Sequence, residues 1–252
     1  MMSGRAEQML DMPSVVDALS PLGFERVELL HGSTFKDCST IQLVPSRGLI
    51  DPKVIGSWIG LIAPMNQKRW LTFTEGDEVG HAYTEMVGRI LKDPYLSKWK
   101  YIMTMEDDNL PPPDAHIRLL ETIDWGGYDA VSGLYFTKGD WNMPMAYGDP
   151  AEYARTGVLT MQPRDVAHAV EAGTIMEVNG IGMGCALWRM DLFREIDPPW
   201  FVTVNDIIPD KGIMAFTQDL YFCERARRVG KRFAVDMRVR VGHMDVETGV
   251  VY

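Results

Sequence analysis

Cysteine is scarce in this sequence, and its three cysteines, Cys38, Cys185 and Cys223, lie far apart. Their spacing argues against a structural zinc site and is not that of a disulfide framework, so a reducing compartment suits the chain. The sequence also has no apolar run long enough to cross a bilayer. Residues 1–10 contain charged side chains in place of the apolar core of a signal peptide. We therefore expect a soluble, cytoplasmic protein.

Basic residues are outnumbered in this chain, because 25 lysines and arginines face 35 aspartates and glutamates, for a net charge of −10. The averaged field repels polyanions, which argues against non-specific nucleic-acid binding. A late basic segment, from Arg225 to Arg240, is typical of a solvated surface. With 252 residues and 46% hydrophobic content, the chain is long enough to bury the core of one domain.

Strand and helix patterns alternate along the chain from Cys38 onward. Short apolar segments rich in β-branched residues predict strands, and apolar residues at helical spacing predict helices. This alternation is typical of a mainly parallel central sheet flanked by helices, so we predict the α/β class. The predicted strands are Thr40–Val44, Trp70–Thr74, Tyr101–Met105, Asp129–Phe136, Cys185–Trp188 and the half-buried, alternating Phe233–Val241, and the predicted helices cover Val79–Ile90, Ile117–Ile123, Arg164–Ala172 and Gln218–Val229.

Three carboxylates follow the middle predicted strand directly, at Glu106, Asp107 and Asp108. They repel one another unless a cation or hydrogen-bond donors offset their charge. In a parallel sheet, the carboxyl ends of the strands form the ligand-binding edge. Mg²⁺ and Mn²⁺ prefer oxygen ligands and often link one or two carboxylates to substrate phosphates. The cluster therefore predicts a divalent metal and a bound diphosphate; the alternative is a solvated acidic loop.

The segment Met105–Asp114 resembles the DxD motif of the GT-A glycosyltransferases, in which prolines and a helix-opening aspartate often follow the acids. The resemblance implies that Asp108 coordinates the metal bridging the diphosphate. It implies that Asp107 contacts the ribose of the donor or the metal. Glu106 stands in the place of a frequent aspartate and is a predicted donor contact.

The same resemblance defines the expected domains. Residues 38–252 are expected to form a single GT-A (Rossmann-like) domain with a mainly parallel central sheet. Residues 1–37 are expected to form an N-terminal extension that packs on this domain.

Two later segments match the family by their order in the chain. Asp219 lies in the first turn of a predicted helix with Thr217 as its N-cap, and the segment resembles the ED motif with Gln218 in place of glutamate. The resemblance implies that Asp219 is the general base, and the alternative is that it only stabilises the helix N-terminus. His243 resembles the late histidine that completes the metal shell in many relatives; the alternative is a loop histidine without such a role.

Position at the strand ends predicts further donor contacts. Pro45, Ser46 and Arg47 follow the first strand and would approach the nucleotide base, and Glu75 after the second strand would hydrogen-bond it. An exposed turn explains these residues as well. Gly182 lies in a glycine-rich loop, where a missing side chain lets backbone approach a ligand closely, and the resemblance places a similar segment near the donor sugar.

These motifs together predict a metal-dependent glycosyltransferase that moves a sugar from a nucleotide-diphosphate donor, UDP- or GDP-linked, to an acceptor hydroxyl with inversion, using Mn²⁺ or Mg²⁺. The alternatives are a retaining glycosyltransferase, a sugar nucleotidyltransferase and a non-catalytic nucleotide-sugar binding module. The sequence leaves the acceptor open among saccharide, lipid, small molecule, protein and modified base, and it leaves the oligomeric state open. Residues 137–172 are the predicted acceptor region.

Overall fold

One large sheet dominates the computed structural model, which describes residues 36–208 and 212–252. Seven strands form this central sheet, and the other six strands of the described residues pair two by two. The strands are β1 (Thr40–Ser46), β2 (Arg69–Glu75), β3 (Tyr101–Met105), β4 (Asn109–Leu110), β5 (Ala130–Leu134), β6 (Ala146–Tyr147), β7 (Ile175–Val178), β8 (Gly180–Ile181), β9 (Cys185–Arg189), β10 (Val204–Ile208), β11 (Gly212–Phe216), β12 (Phe233–Arg240) and β13 (Gly242–His243).

The central sheet is mixed, with the order β2-β1-β3-β9-β5-β12-β7. Strands β2, β1, β3, β5 and β12 run in one direction, and β9 and β7 oppose them. The predicted α/β class is confirmed, since strands of one direction predominate and helices flank them. The carboxyl ends of these five strands lie at one edge, which is where open α/β sheets bind ligands.

Helices connect the strands and cover the sheet. The predicted helix from Arg164 begins only at Ala167, because the Asp165 carboxylate accepts a hydrogen bond from the Ala167 amide and turns the chain there. It ends, as predicted, at Gly173, whose φ of 60° suits glycine. The helices are α1 (Pro52–Ile59), α2 (Val79–Lys92), α3 (Ala115–Trp125), α4 (Pro150–Thr156), α5 (Ala167–Ala172), α6 (Met190–Glu195) and α7 (Gln218–Arg228), with a 3₁₀ turn at Leu96–Lys98.

Apolar side chains fill the core on both faces of the sheet. Successive residues of a strand point to opposite faces, so Ile41 and Leu43 of β1 pack with α2 on one face, and Val44 packs with α1 and α3 on the other. Trp188 of β9 is fully buried against four phenylalanines. Strands β1 and β3, which lead to the ligand edge, are therefore buried along most of their length.

Strand β12 is buried on both faces over its first five residues, so the predicted half-buried alternation is wrong. Its alternate side chains enter two different apolar clusters, one on each face of the sheet. Asp236 is fully buried there and accepts hydrogen bonds from Arg238 and Thr122, both at 2.7 Å. Burial alone would raise the pKa of Asp236, but these hydrogen bonds hold it below its usual value. Asp236 is thus buried at a position that the alternating sequence pattern predicts to be exposed.

Two expectations concern the chain outside the sheet. The N-terminal extension predicted at residues 1–37 lies outside the described residues apart from Lys36 and Asp37, and its packing on the domain stays a prediction. Within the described part of the chain, no helix combines the length and apolar character needed to span a bilayer.

Candidate functional site

A cleft of about 270 Å³ lies at the carboxyl ends of β1 and β3, the edge where this fold binds ligands. It brings together residues that are far apart in the sequence, and it adds Asp77 and Val79 to those predicted. The residues that line it are Pro45, Ser46, Arg47, Asp77, Val79, Glu106, Asp107 and Asp108.

The three acids occupy a tight turn after β3. The amide of Asn109 donates to the carbonyl oxygen of Glu106 at 3.1 Å and closes this turn. Asp107 and Asp108 are each only 7% exposed, whereas Glu106 is half-buried at the cleft. Because carboxylates held this close repel one another, the turn needs positive charge from elsewhere in the fold.

Arg47 supplies the first positive charge and binds Asp107. Its backbone amide donates to Asp107 Oδ2 at 2.9 Å, and its guanidinium Nη2 donates to Oδ1 at 2.6 Å. The Nε group donates to Oδ2 at 3.3 Å, so the side-chain contact is bidentate. The predicted contact of Arg47 with the nucleotide base is not tested by this geometry, but the guanidinium is committed to the acids.

Asp108 uses its two carboxylate oxygens differently. Oδ2 accepts hydrogen bonds from Lys138 Nζ at 2.6 Å and from Arg47 Nη2 at 3.1 Å. Oδ1 faces Nε2 of His243 at 3.6 Å, beyond hydrogen-bond distance. One oxygen of Asp108 is therefore neutralised by the protein, and the other is directed at an imidazole.

His243 reaches Asp108 through a short antiparallel ladder. Strand β13 pairs with β4 so that His243 lies opposite Asn109, and the amide of Met244 donates to the backbone carbonyl of Asp108 at 2.7 Å. His243 Nδ1 lies 2.7 Å from the carbonyl oxygen of Phe136, which can only accept, so Nδ1 carries the proton. Burial also lowers the pKa of His243. The neutral ring thus presents the lone pair of Nε2 toward Asp108.

This arrangement fits a divalent cation. A lone pair of Nε2 and an anionic Oδ1 that face each other without a shared proton are a suitable ligand pair for Mn²⁺, which accepts imidazole and carboxylate. Residues 36–208 and 212–252 contain no group of three histidine, cysteine, aspartate or glutamate side chains placed to hold a metal. Asp108 and His243 would therefore be the protein ligands, and water or substrate phosphate would fill the other positions.

Asp219 lies in the first turn of α7 and is only 3% exposed. Its Oδ1 accepts a hydrogen bond from the amide of Leu220 at 2.9 Å. Burial raises the pKa of Asp219 and outweighs the hydrogen bonds that oppose this shift. Thr217 occupies the N-cap position as predicted, but its side chain makes no capping hydrogen bond to the helix. The raised pKa would suit a general base, and the catalytic role of Asp219 stays a prediction.

The charges of the other acids in the turn and of Asp219 both act on Glu106. Burial raises the pKa of Glu106 to about 8, and the negative charges of Asp108, Asp219 and Asp107 add to this effect. The structure therefore brings Asp219 within electrostatic reach of the turn, although residues 109–218 lie between Asp108 and Asp219 in the sequence. Glu106 therefore ionises less readily than an ordinary glutamate.

Glu75 and Gly182 lie apart from the lining of the cleft. Glu75 ends β2, is exposed, and stands opposite Ser46 in the register of β1 and β2. Gly182 is buried, and a Cβ built on it would meet the hydroxyl oxygen of Tyr135 at 2.2 Å and Met145 at 3.0 Å. Internal packing therefore explains this glycine without a ligand, and donor contacts from either residue stay predictions.

We expect Gly182→Ala to destabilise the protein by about 1–3 kcal/mol, because the added methyl group overlaps Tyr135. Tyr135→Phe removes the clashing oxygen together with the hydrogen bond that it accepts from the amide of Gly184 at 2.9 Å. The double variant should therefore lose less stability than the sum of the two single variants. Urea denaturation of the four proteins measures this coupling, and strict additivity would contradict the packing explanation.

Sequence reasoning missed Lys138, Asp77 and Val79. The sequence does contain a signal for Lys138. This residue follows β5, whose carboxyl end lies at the same edge of the sheet as that of β3. Asp77 lies in the turn after β2, and Val79 begins helix α2. Both residues line the cleft, whereas Glu75 at the end of β2 does not. The pairing of β4 with β13 has no comparable signal, because each strand is only two residues long.

Comparisons with known proteins support the fold. No protein-family model matches the chain, and no curated protein matches it. The solved structure of A197 from STIV is 16% identical, with a TM-score of 0.56 over 83% of this chain and 87% of that chain. The structure of GalNAc-T7 with UDP, GalNAc and Mn²⁺ is 8% identical, with a TM-score of 0.52 over 82% of this chain and 44% of that chain.

These similarities define the class of fold. The described domain is an α/β domain with a mixed seven-stranded sheet, and its fold is similar to that of GalNAc-T7. The match covers less than half the length of GalNAc-T7. At such low identity the likeness concerns the fold alone, because one fold hosts many activities.

Proposed function

We propose that this chain is a metal-dependent glycosyltransferase that transfers a sugar from a UDP- or GDP-linked donor to an acceptor hydroxyl with inversion. The observation that supports this most directly is the facing pair of Asp108 Oδ1 and His243 Nε2 at 3.6 Å. The pair lies at the ligand edge of a fold similar to that of a GT-A glycosyltransferase. Carboxylate, imidazole and an adjoining cleft together suit a cation that binds a diphosphate.

Several residues in and beside the cleft have roles in this proposal. Asp108 and His243 would hold Mn²⁺ or Mg²⁺, which when bound stabilises the negative charge that develops on a departing diphosphate. Pro45 and Ser46 line the cleft and would contact the nucleotide. Arg47 fixes Asp107 through its bidentate contact, and Glu106 would contact the donor.

Asp219 would act on the acceptor. Its carboxylate accepts the proton of the acceptor hydroxyl, and the hydroxyl oxygen forms a bond to the anomeric carbon of the donor sugar. The bond between that carbon and the diphosphate oxygen breaks, and its electron pair leaves with the diphosphate. Because the oxygen enters opposite the leaving group, the configuration at the anomeric carbon inverts. The raised pKa of Asp219 strengthens its basicity for this step.

A donor screen tests the proposal. The wild-type protein is incubated with UDP- and GDP-linked sugars and a mixture of saccharide acceptors, with Mn²⁺ or with EDTA, and release of the nucleoside diphosphate is measured. We expect one donor to be consumed in Mn²⁺ and much more slowly in EDTA, with inverted product by NMR. Binding of a nucleotide sugar without turnover of any donor would contradict the enzymatic function and favour a non-catalytic binding module. A product of retained configuration would exclude the proposed role of Asp219.

A further inference from the structure

Lys138 is a cation of the site that the proposed reaction does not yet use. Its Nζ donates to Asp108 Oδ2 at 2.6 Å, and its side chain is 28% exposed. It therefore lies against the carboxylate that would hold the metal and still reaches solvent. Lysine is a common phosphate ligand because its ammonium group is a compact charge on a flexible stem.

The loop that carries Lys138 is held in place on both sides. Phe136 and Pro144 form a β-bridge, and between them the amide of Thr137 donates to the carbonyl of Met143 at 2.8 Å. The carbonyl oxygen of Phe136 also accepts from His243. One segment thus places Lys138 and orients the imidazole, which fixes the backbone of Lys138 at the site.

Two cations of the protein contact the two buried aspartates at the cleft. Arg47 contacts both Asp107 and Asp108, and Lys138 contacts Asp108, so two cations meet two buried carboxylates. Arg47 binds Asp107 through both its backbone amide and its guanidinium group. Among the residues that the structure describes, Lys138 Nζ has one hydrogen bond, to a single oxygen of Asp108, and its stem allows Nζ to move to another acceptor. An anionic ligand in the cleft would offer that acceptor.

We propose that Lys138 is a diphosphate-binding residue, which neutralises Asp108 before the ligand arrives and then donates to a phosphate oxygen, so that the cleft binds a nucleoside diphosphate even without a divalent cation. This inference rests on the proposed function. Loss of Lys138 has two opposite effects in this account. It weakens the diphosphate complex, and it strengthens binding of a metal ion alone, because a positive charge beside Asp108 is removed.

Calorimetry with UDP and GDP in EDTA tests the inference on the full chain. We expect Lys138→Met to bind the preferred diphosphate about tenfold more weakly than wild type, the change that loss of one charge-assisted contact commonly produces. Lys138→Arg should restore most of the affinity. Lys92→Met is the matched control, because Lys92 is exposed at the far end of α2, about 20 Å along the helix from Val79 at the cleft.

Titration with Mn²⁺ alone separates binding from folding. The account predicts that Lys138→Met binds Mn²⁺ more tightly than wild type, whereas a misfolded variant would bind both ligands more weakly. Unchanged diphosphate affinity in EDTA, with wild type binding UDP or GDP, would overturn the role of Lys138 and leave the proposed function standing. Failure of wild type to bind either diphosphate, with Mn²⁺ or without it, would overturn both.

Discussion

Replacing Asp219 by asparagine is expected to lower turnover by about 10²–10⁴-fold, the range that a positioned general base commonly contributes. Asparagine keeps the shape of the side chain and its ability to accept the hydrogen bond from the amide of Leu220, but it cannot accept a proton. Affinity for the nucleoside diphosphate should change little, because the diphosphate is expected at Asp108. Steady-state kinetics and calorimetry on the same preparation separate the two quantities.

The pH profile gives the Asp219 prediction a second readout. Because the base must be ionised, kcat/KM of wild type should rise with pH through the pKa of Asp219, and burial moves this limb above the usual range of an aspartate. Asp219→Asn should lack the limb. Glu224→Gln is a suitable control, since Glu224 lies on the same helix and pairs with Arg228 at 2.6 Å. Full activity of Asp219→Asn would restrict Asp219 to a structural role at the helix N-terminus.

Asp108→Asn is expected to weaken Mn²⁺ binding by about 100-fold or more, because changes to groups that merely support metal ligands already cost 10–100-fold. The substitution removes the negative charge opposite His243 and keeps the volume of the side chain. Stimulation of donor turnover by Mn²⁺ should disappear with it. Electron paramagnetic resonance of free Mn²⁺ during a titration measures the affinity directly.

The control for Asp108→Asn is Asp197→Asn, which removes one negative charge at an exposed position before the turn to β10. It corrects for the general effect of net charge on a cation. Equal Mn²⁺ affinity in Asp108→Asn and Asp197→Asn would place the cation somewhere other than the end of β3.

Local patterns were sufficient for the elements that build the ligand edge. Tyr101–Met105 is an apolar strand in the sequence and in the structure, and it is buried throughout. Helix α2 follows the predicted spacing and buries Tyr83, Met86 and Val87 on one face. These elements are predictable because burial of one face or of a whole strand leaves a periodic trace in the sequence.

Elements without such a trace were missed. The hairpin of β10 and β11 directly precedes α7, yet no predicted strand covers it. Strand β12 was assigned an exposed face because Asp236 and Arg238 alternate with apolar residues, whereas their mutual hydrogen bonds allow the acid to be buried. Polar residues that satisfy one another in the core imitate a solvent-facing pattern.

The candidate site was predictable only in its acidic part. Glu106, Asp107 and Asp108 form a cluster in the sequence itself, and strand-end placement indicates the edge on which they lie. Lys138 is 30 positions away from Asp108, and His243 reaches it through a two-residue ladder. Such contacts depend on the order of strands in the sheet, which one sequence does not reveal. The division of Asp108 between two cations and an imidazole is therefore known only from the structure.

The most direct measurement is a crystal structure of the protein with Mn²⁺ and UDP or GDP, recorded with anomalous scattering from manganese. The account predicts a manganese peak bonded to the carboxylate of residue 108 and the ring nitrogen of residue 243, with both phosphates of the nucleotide beside it. The account would be contradicted if nucleotide and manganese bound elsewhere on the molecule and the acids at the end of β3 contacted only solvent, Arg47 and Lys138.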